Sequence, residues 1–124
     1  MLVLAALLQS LTYPPTTGDF SPDWLRRPSL EEVGRVYPAA AGRKRLNGEA
    51  ELDCTANGGG RLASCRVASE TPGGYGFGAA ALQLRSIYVM RPLLPDGRSV
   101  GGGHVRIRVS FRYAELRRLG LVRP

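Results

Sequence analysis

Residues 48–67 read GEAELDCTANGGGRLASCRV, and this stretch decides the fold. A turn centred on Gly59–Gly60, the kind of glycine pair that two-residue hairpin loops favour, sets Leu52 opposite Val67 and Cys54 opposite Cys65. The same register sorts the side chains by polarity. Ala50, Leu52, Cys54 and Ala56 share one face with Ala63, Cys65 and Val67, whereas Glu49, Glu51, Asp53 and Thr55 share the other with Ser64 and Arg66. A slip of one residue would destroy this sorting, because strand side chains alternate with period 2. The stretch therefore predicts an antiparallel hairpin with a Cys54–Cys65 disulfide across it. Such a bridge points to an oxidising compartment; two buried free thiols are the alternative. Closing so short a loop stabilises by about 2–3 kcal/mol.

A chain of 124 residues holds one modest core, for which a covalent staple is useful. No CxxC pair and no Cys/His cluster is present, so neither a metal nor a cofactor is expected. The start, MLVLAALL, is too short and too soon interrupted to span a bilayer. It has the length of a signal-peptide core, and residues 1–17 are read as a leader for export; a short buried strand or helix is the alternative. Residues 18–28 are rich in Pro and polar side chains and read as an extended lead-in, with Trp24 and Leu25 tucked onto the domain.

The domain proper is expected over residues 29–113. Ser29 and Glu32 have capping-box spacing, and Leu30, Val33 and Val36/Tyr37 form an apolar stripe, which predicts a first helix from Ser29. Pro38 cannot continue that helix but can open a second one reaching Arg45. Beyond the hairpin, residues 68–78 read as a glycine-rich loop without a phosphate-loop pattern. Residues 79–89 present Ala81, Leu84, Ile87 and Tyr88 at helical spacing. From His104 to Phe111 the alternation is clean: Val105, Ile107, Val109 and Phe111 point one way, and Arg106, Arg108 and Ser110 the other. Residues 114–124 read as a basic tail that adds a helical turn or frays.

Charge then orders the strands. Glu49, Glu51 and Asp53 on the first strand complement Arg106 and Arg108 on the third, which favours placing the two side by side. The expectation is an α+β fold with a small three-stranded antiparallel sheet, order second–first–third, and helices packed on one face. The third strand is then an edge with unpaired backbone groups.

From Tyr37 to Phe111 the sequence resembles the C-terminal domain of TonB-family energy transducers. The resemblance rests on Tyr37–Pro38 followed by Ala41 and a basic stretch, Gly48 before an alternating strand, and Gly60 before a second strand. The Ala-rich residues 79–84, Arg91–Pro92 and the Val105/Ile107/Val109/Phe111 strand complete it. The paired cysteines and the Glu70-x-Pro72…Gly76-Phe77-Gly78 segment resemble an envelope-localised branch. The resemblance implies a periplasmic protein-binding module that transmits inner-membrane energy to outer-membrane receptors. It would add a receptor's extended peptide, the TonB box, along Val105, Arg106, Ile107, Arg108, Val109, Ser110 and Phe111 by β-augmentation. The partner implied is a TonB-dependent receptor peptide or an anchored envelope protein, and a free edge also permits a homodimer.

Two other function classes follow from composition. From residue 1 to 84 eight basic and eight acidic side chains cancel, whereas from Arg85 onward nine arginines meet only Asp96 and Glu115. Such an excess suits an envelope protein that binds anionic lipid or polymer through Arg85, Arg91, Arg98, Arg112, Arg117 and Arg118. An enzyme is not expected: the single histidine, His104, has no nucleophile, carboxylate pair or metal set beside it in the sequence. Nucleic acid is not an expected partner either, since no recognition helix carries the arginines.

Overall fold

A computed structural model describes residues 20–122, so the expected leader at 1–17 lies outside the described residues. The elements run β1 (Trp24–Arg26), α1 (Leu30–Arg35), α2 (Ala39–Arg43), β2 (Gly48–Ala56), β3 (Leu62–Thr71), α3 (Phe77–Gln83), β4 (Val89–Met90), β5 (His104–Phe111) and α4 (Tyr113–Arg118). The architecture is α+β, with a three-stranded antiparallel sheet of order β3-β2-β5 and a second, two-stranded sheet of order β1-β4. The first is the sheet read from charge and register. The second corrects the expectation of a single sheet: Trp24–Arg26, read as extended lead-in, pairs with Val89–Met90. Its reason is aromatic, since Trp24 stacks edge-on to Tyr88 at 5.0 Å between ring centroids.

Along the hairpin Cys54 pairs with Cys65, Leu52 with Val67 and Asp53 with Arg66. Cys54 and Cys65 form a disulfide. Two register shifts depart from the simple alternation. Ala56 pairs with Leu62 rather than Ala63, and Glu51 pairs with Ser69, so Ala63 and Ala68 are extra residues on β3. Ala63, placed on the core face by the sequence, is therefore exposed. The turn is also displaced from Gly59–Gly60. Asn57 closes it, its side-chain Oδ1 accepting from the N–H groups of Gly59 and Arg61 at 2.9 and 3.0 Å, an Asx arrangement. Gly60 sits at φ +80° and any Cβ there would run into the Met90 carbonyl oxygen, so the residue has to be glycine.

The apolar face of the sheet carries the core. Ala50, Leu52 and Cys54 on β2 and Val105, Ile107, Val109 and Phe111 on β5 are all 4 % exposed or less, as are Phe77, Ala80 and Ala81 of α3. Ser29 caps α1 in a reciprocal box with Glu32, and that backbone bond holds the Glu32 carboxyl below the usual carboxylate range. Arg26 of β1 reaches the same carboxylate at 2.7 Å, which ties the small sheet to the helix.

One further element differs from expectation. The helix read over 79–89 ends at Gln83. A 3-10 turn over Arg85–Ile87 follows, and Val89–Met90 are strand. Leu84 and Tyr88 are buried all the same, because the 3-10 turn keeps them on the core side. The C-terminal tail forms α4, anchored by buried Tyr113 and Leu116. Its first N–H donates to the Asn47 side chain at 2.7 Å, a partner remote in sequence.

Candidate functional site

The strand proposed for partner binding, Val105–Phe111, lies at the edge of the larger sheet. Eight consecutive pairs join it to β2 without a register shift, from Gly48↔Phe111 to Thr55↔His104. Its residues alternate strictly between exposed and buried, starting exposed at His104 and ending buried at Phe111.

The register also fixes which backbone groups are open. In an antiparallel ladder, narrow pairs whose amides turn away from each other alternate with wide pairs that exchange both hydrogen bonds. Cys54 and Cys65 have their Cα atoms 4.1 Å apart, the narrow kind, so Cys54 directs its N–H and C=O toward Val105. Ala56 agrees, its N–H donating to the Gly103 carbonyl at 3.0 Å. By alternation Val105, Ile107, Val109 and Phe111 face β2 with their main chain. His104, Arg106, Arg108 and Ser110 then direct theirs away from the sheet. The seven candidate residues thus divide: the odd-numbered ones hold the strand, and the even-numbered ones present it.

The outer face around this edge is a lattice of ion pairs. Arg106 lies 3.3 Å from Glu51, and Arg108 lies 3.8 Å from Glu51 and 4.0 Å from Glu49. On the other side of β2, Arg66 pairs with Asp53 at 2.9 Å. The opposite-sign strands are adjacent: Arg108 meets Glu51 straight across, whereas Arg106 reaches Glu51 and Arg108 reaches Glu49 on the diagonal. These groups are mostly exposed, so each pair contributes at most about 1 kcal/mol.

Beneath the C-terminal end of β5 an aromatic cluster holds the strand down. Phe111 meets Phe77 at 5.2 Å and Tyr37 at 5.6 Å, and Tyr37 also meets Tyr113 at 5.9 Å. Tyr37 donates its hydroxyl proton to the Leu46 carbonyl. Burial, with Tyr113 adding to it, pushes the Tyr37 hydroxyl up to about 12. At the Ser110 end the edge opens into a hollow of about 320 Å³ lined by Leu30, Val33, Ser110, Arg112, Glu115 and Leu116. Leu30 remains 48 % exposed beside it.

The C-terminal arginines do not form one patch. Arg91 pairs with Asp23 and Arg98 with Asp96, each at 2.7 Å, and Arg85 donates to the Leu82 carbonyl. Arg112, Arg117 and Arg118 are left on and beside α4. His104 is exposed at the start of β5, opposite Thr55. Among the described residues no group of three or more His, Cys, Asp or Glu side chains is placed to hold a metal, and no helix is long and apolar enough to cross a membrane.

Two structural contributors carry little local sequence signal. Glu70, at the far end of β3, accepts from the N–H groups of Gly74 at 3.1 Å and Gly78 at 2.8 Å, and so caps α3 from another element. Asn47 does the same for α4. Both are polar residues on the edge of a turn, a position that does not reveal which distant N–H groups they cap.

No protein-family model matches the sequence. An uncharacterized protein of Caulobacter vibrioides is 36 % identical over 61 residues, a match that covers 49 % of this chain and 61 % of that protein. The chain therefore spans about three-fifths of the length of the relative it matches. Among solved structures, one described as the TonB2 protein from Vibrio anguillarum aligns over 82 % of this chain and 93 % of that one, with a TM-score of 0.49 and 23 % identity.

Proposed function

We propose that this chain is a non-catalytic protein-binding module of the bacterial periplasm. In this reading it takes an extended receptor peptide as an added strand along β5, in transport-related energy coupling of the TonB type. The observation that carries the reading is the β5 edge itself: eight regular pairs on one side, and on the other the outward backbone groups of His104, Arg106, Arg108 and Ser110. An added strand would take main-chain hydrogen bonds from these residues, while pockets receiving alternate side chains would set specificity. The hollow at Leu30, Val33 and Leu116 is placed to take one apolar side chain of such a strand. The disulfide supports an oxidising compartment, and the ordered motifs from Tyr37 to Phe111 support the choice of partner.

The test is an NMR titration of the oxidised protein with a TonB-box peptide. Shifts are expected to cluster over Gly103–Phe111. Proline is best placed at Arg108, whose N–H faces outward; at Ile107 it would cut the ladder to β2 and confuse unfolding with lost binding. Arg108→Pro should abolish binding and leave the hairpin resonances in place. Binding retained by that variant would sink the edge mechanism. Concentration-dependent shifts over the same residues without peptide would assign the edge to a second copy of the chain.

A further inference from the structure

The described arginines fall into two groups. Seven lie within 4.0 Å of a carboxylate. Arg61 and Arg85 donate to backbone carbonyls, and the charge of Arg27 opposes the effect of burial on the Tyr88 hydroxyl without a hydrogen bond or ion pair of its own among the described residues. Arg43, Arg45, Arg112, Arg117 and Arg118 have no such partner among the described residues, and all five belong to the end of α2 or to α4 and its cap. Arg45, Arg117 and Arg118 line one shallow concavity with Tyr113 and Ala114. Arg43 lines a second hollow together with Leu121 and Val122, the residues that follow α4.

Helix dipoles account for part of this, since cations in a last turn are favourable. They do not account for Arg45. The two helices end in the same Schellman motif. In α4 the N–H of Gly120 donates to Arg117 and that of Leu121 to Leu116; in α2 the N–H of Arg45 donates to Gly42 and that of Leu46 to Ala41. The left-handed position is Gly120 at φ +73° in one and Arg45 at φ +56° in the other. Glycine takes that conformation freely, whereas an arginine meets the Cβ clash that glycine avoids. Its guanidinium is nevertheless exposed and has no hydrogen-bond or ion-pair partner among the described residues, which leaves it free for a ligand.

The chemistry of the patch selects the ligand. Arginine forks match phosphate oxygens in bidentate fashion. Leu119, directly after Arg117 and Arg118, is 50 % exposed. A soluble polyanion has no use for that side chain, whereas a bilayer interface takes both the leucine and the cations around it. We infer that the end of α2 together with α4 forms a docking face for an anionic lipid bilayer, its arginines on the headgroup phosphates and Leu119 in the interface. Arg45, Arg117, Arg118 and Leu119, which carry this face, line neither β5 nor the hollow beside it.

The experiment is co-sedimentation of the full chain with phosphatidylcholine vesicles that contain, or lack, about 30 mol% phosphatidylglycerol. Binding is expected to the anionic vesicles alone and to fall steeply between about 50 and 300 mM salt. Arg45→Gly should lower the partition coefficient about 5-fold, and the triple variant with Arg117→Gln and Arg118→Gln on the order of 100-fold. Arg45→Gly relieves the backbone, so its melting temperature should not fall and its loss of binding cannot be charged to unfolding. A control triple, Arg26→Gln, Arg66→Gln and Arg98→Gln, removes the same charge from paired sites away from this face and should retain most of the binding. Leu119→Ser should weaken binding several-fold at constant charge. No binding to anionic vesicles would overturn the inference, as would equal losses in the two triples. Arginine-dependent binding of sodium tripolyphosphate without vesicle binding would overturn it too, in favour of a soluble anion site.

Discussion

β3 and β5 flank the same central strand and are held against it in different ways. β3 is joined by the Cys54–Cys65 bridge, and two register shifts bend it away from simple pairing at Ala63 and Ala68. β5 has no covalent link and no shift; it is held by four buried side chains, Val105, Ile107, Val109 and Phe111, and by the aromatic cluster below them. Both are sheet edges, yet only one is straight. Bulges spoil an edge as a surface for another strand, and a regular ladder preserves it. The molecule thus blunts the edge it staples and keeps regular the edge it holds without a covalent link.

The largest break in this comparison should come from Phe111. It is fully buried against Phe77 and Tyr37. Phe111→Ala should destabilise by about 3–5 kcal/mol, as truncation of a buried aromatic does. Amide exchange over β5 should rise more than exchange over the hairpin. Equal loss of protection in both would show a single cooperative unit and end the distinction between the two flanks. Next comes the staple. Reduction of Cys54–Cys65 should lower stability by about 2–3 kcal/mol in urea unfolding. Peptide shifts over Gly103–Phe111 should survive, since eight pairs join β5 to β2 whereas the bridge joins β2 to β3. Loss of those shifts on reduction would mean that the β5 edge depends on the hairpin's staple after all.

The contrast also explains what was legible in the sequence. β5 alternates over its whole length, so His104–Phe111 could be read from period alone. The β2–β3 register was legible near the cysteines, where Leu52/Val67, Asp53/Arg66 and Cys54/Cys65 agree, and strand order followed from acidic residues facing arginines. The shifts at Ala63 and Ala68 were not legible, because an alanine looks the same on either face of a strand. β1 is three residues long inside a Pro-rich stretch and owes its pairing to Trp24 on Tyr88, a contact between segments far apart in sequence. The break after Gln83 was hidden by the good helical spacing of Leu84 and Tyr88, which a 3-10 turn satisfies as well. For the candidate site, the strand was legible but not the division of its backbone, which follows from the narrow pairing of Cys54 with Cys65.

The smallest effect is silent near neutral pH and concerns the packing under β5. Burial pushes the hydroxyls of Tyr37 and Tyr88 up to about 12. An unfolded chain ionises its tyrosines near pH 10. Between about pH 10 and 12 the unfolded state therefore releases protons that the folded state keeps, and stability falls as pH rises through that window. Below pH 10 both states keep the protons, and the contribution is fully present. The melting temperature should be level to about pH 9.5 and then decline, with two tyrosines titrating late in the ultraviolet absorbance. Tyr37→Phe should remove part of that decline, although it also gives up the bond to the Leu46 carbonyl. Since Tyr37 lies beneath β5 and Tyr88 beneath β1, the variant separates the two: a slope unchanged in Tyr37→Phe would place the alkaline sensitivity at Tyr88 and clear the packing under the open edge.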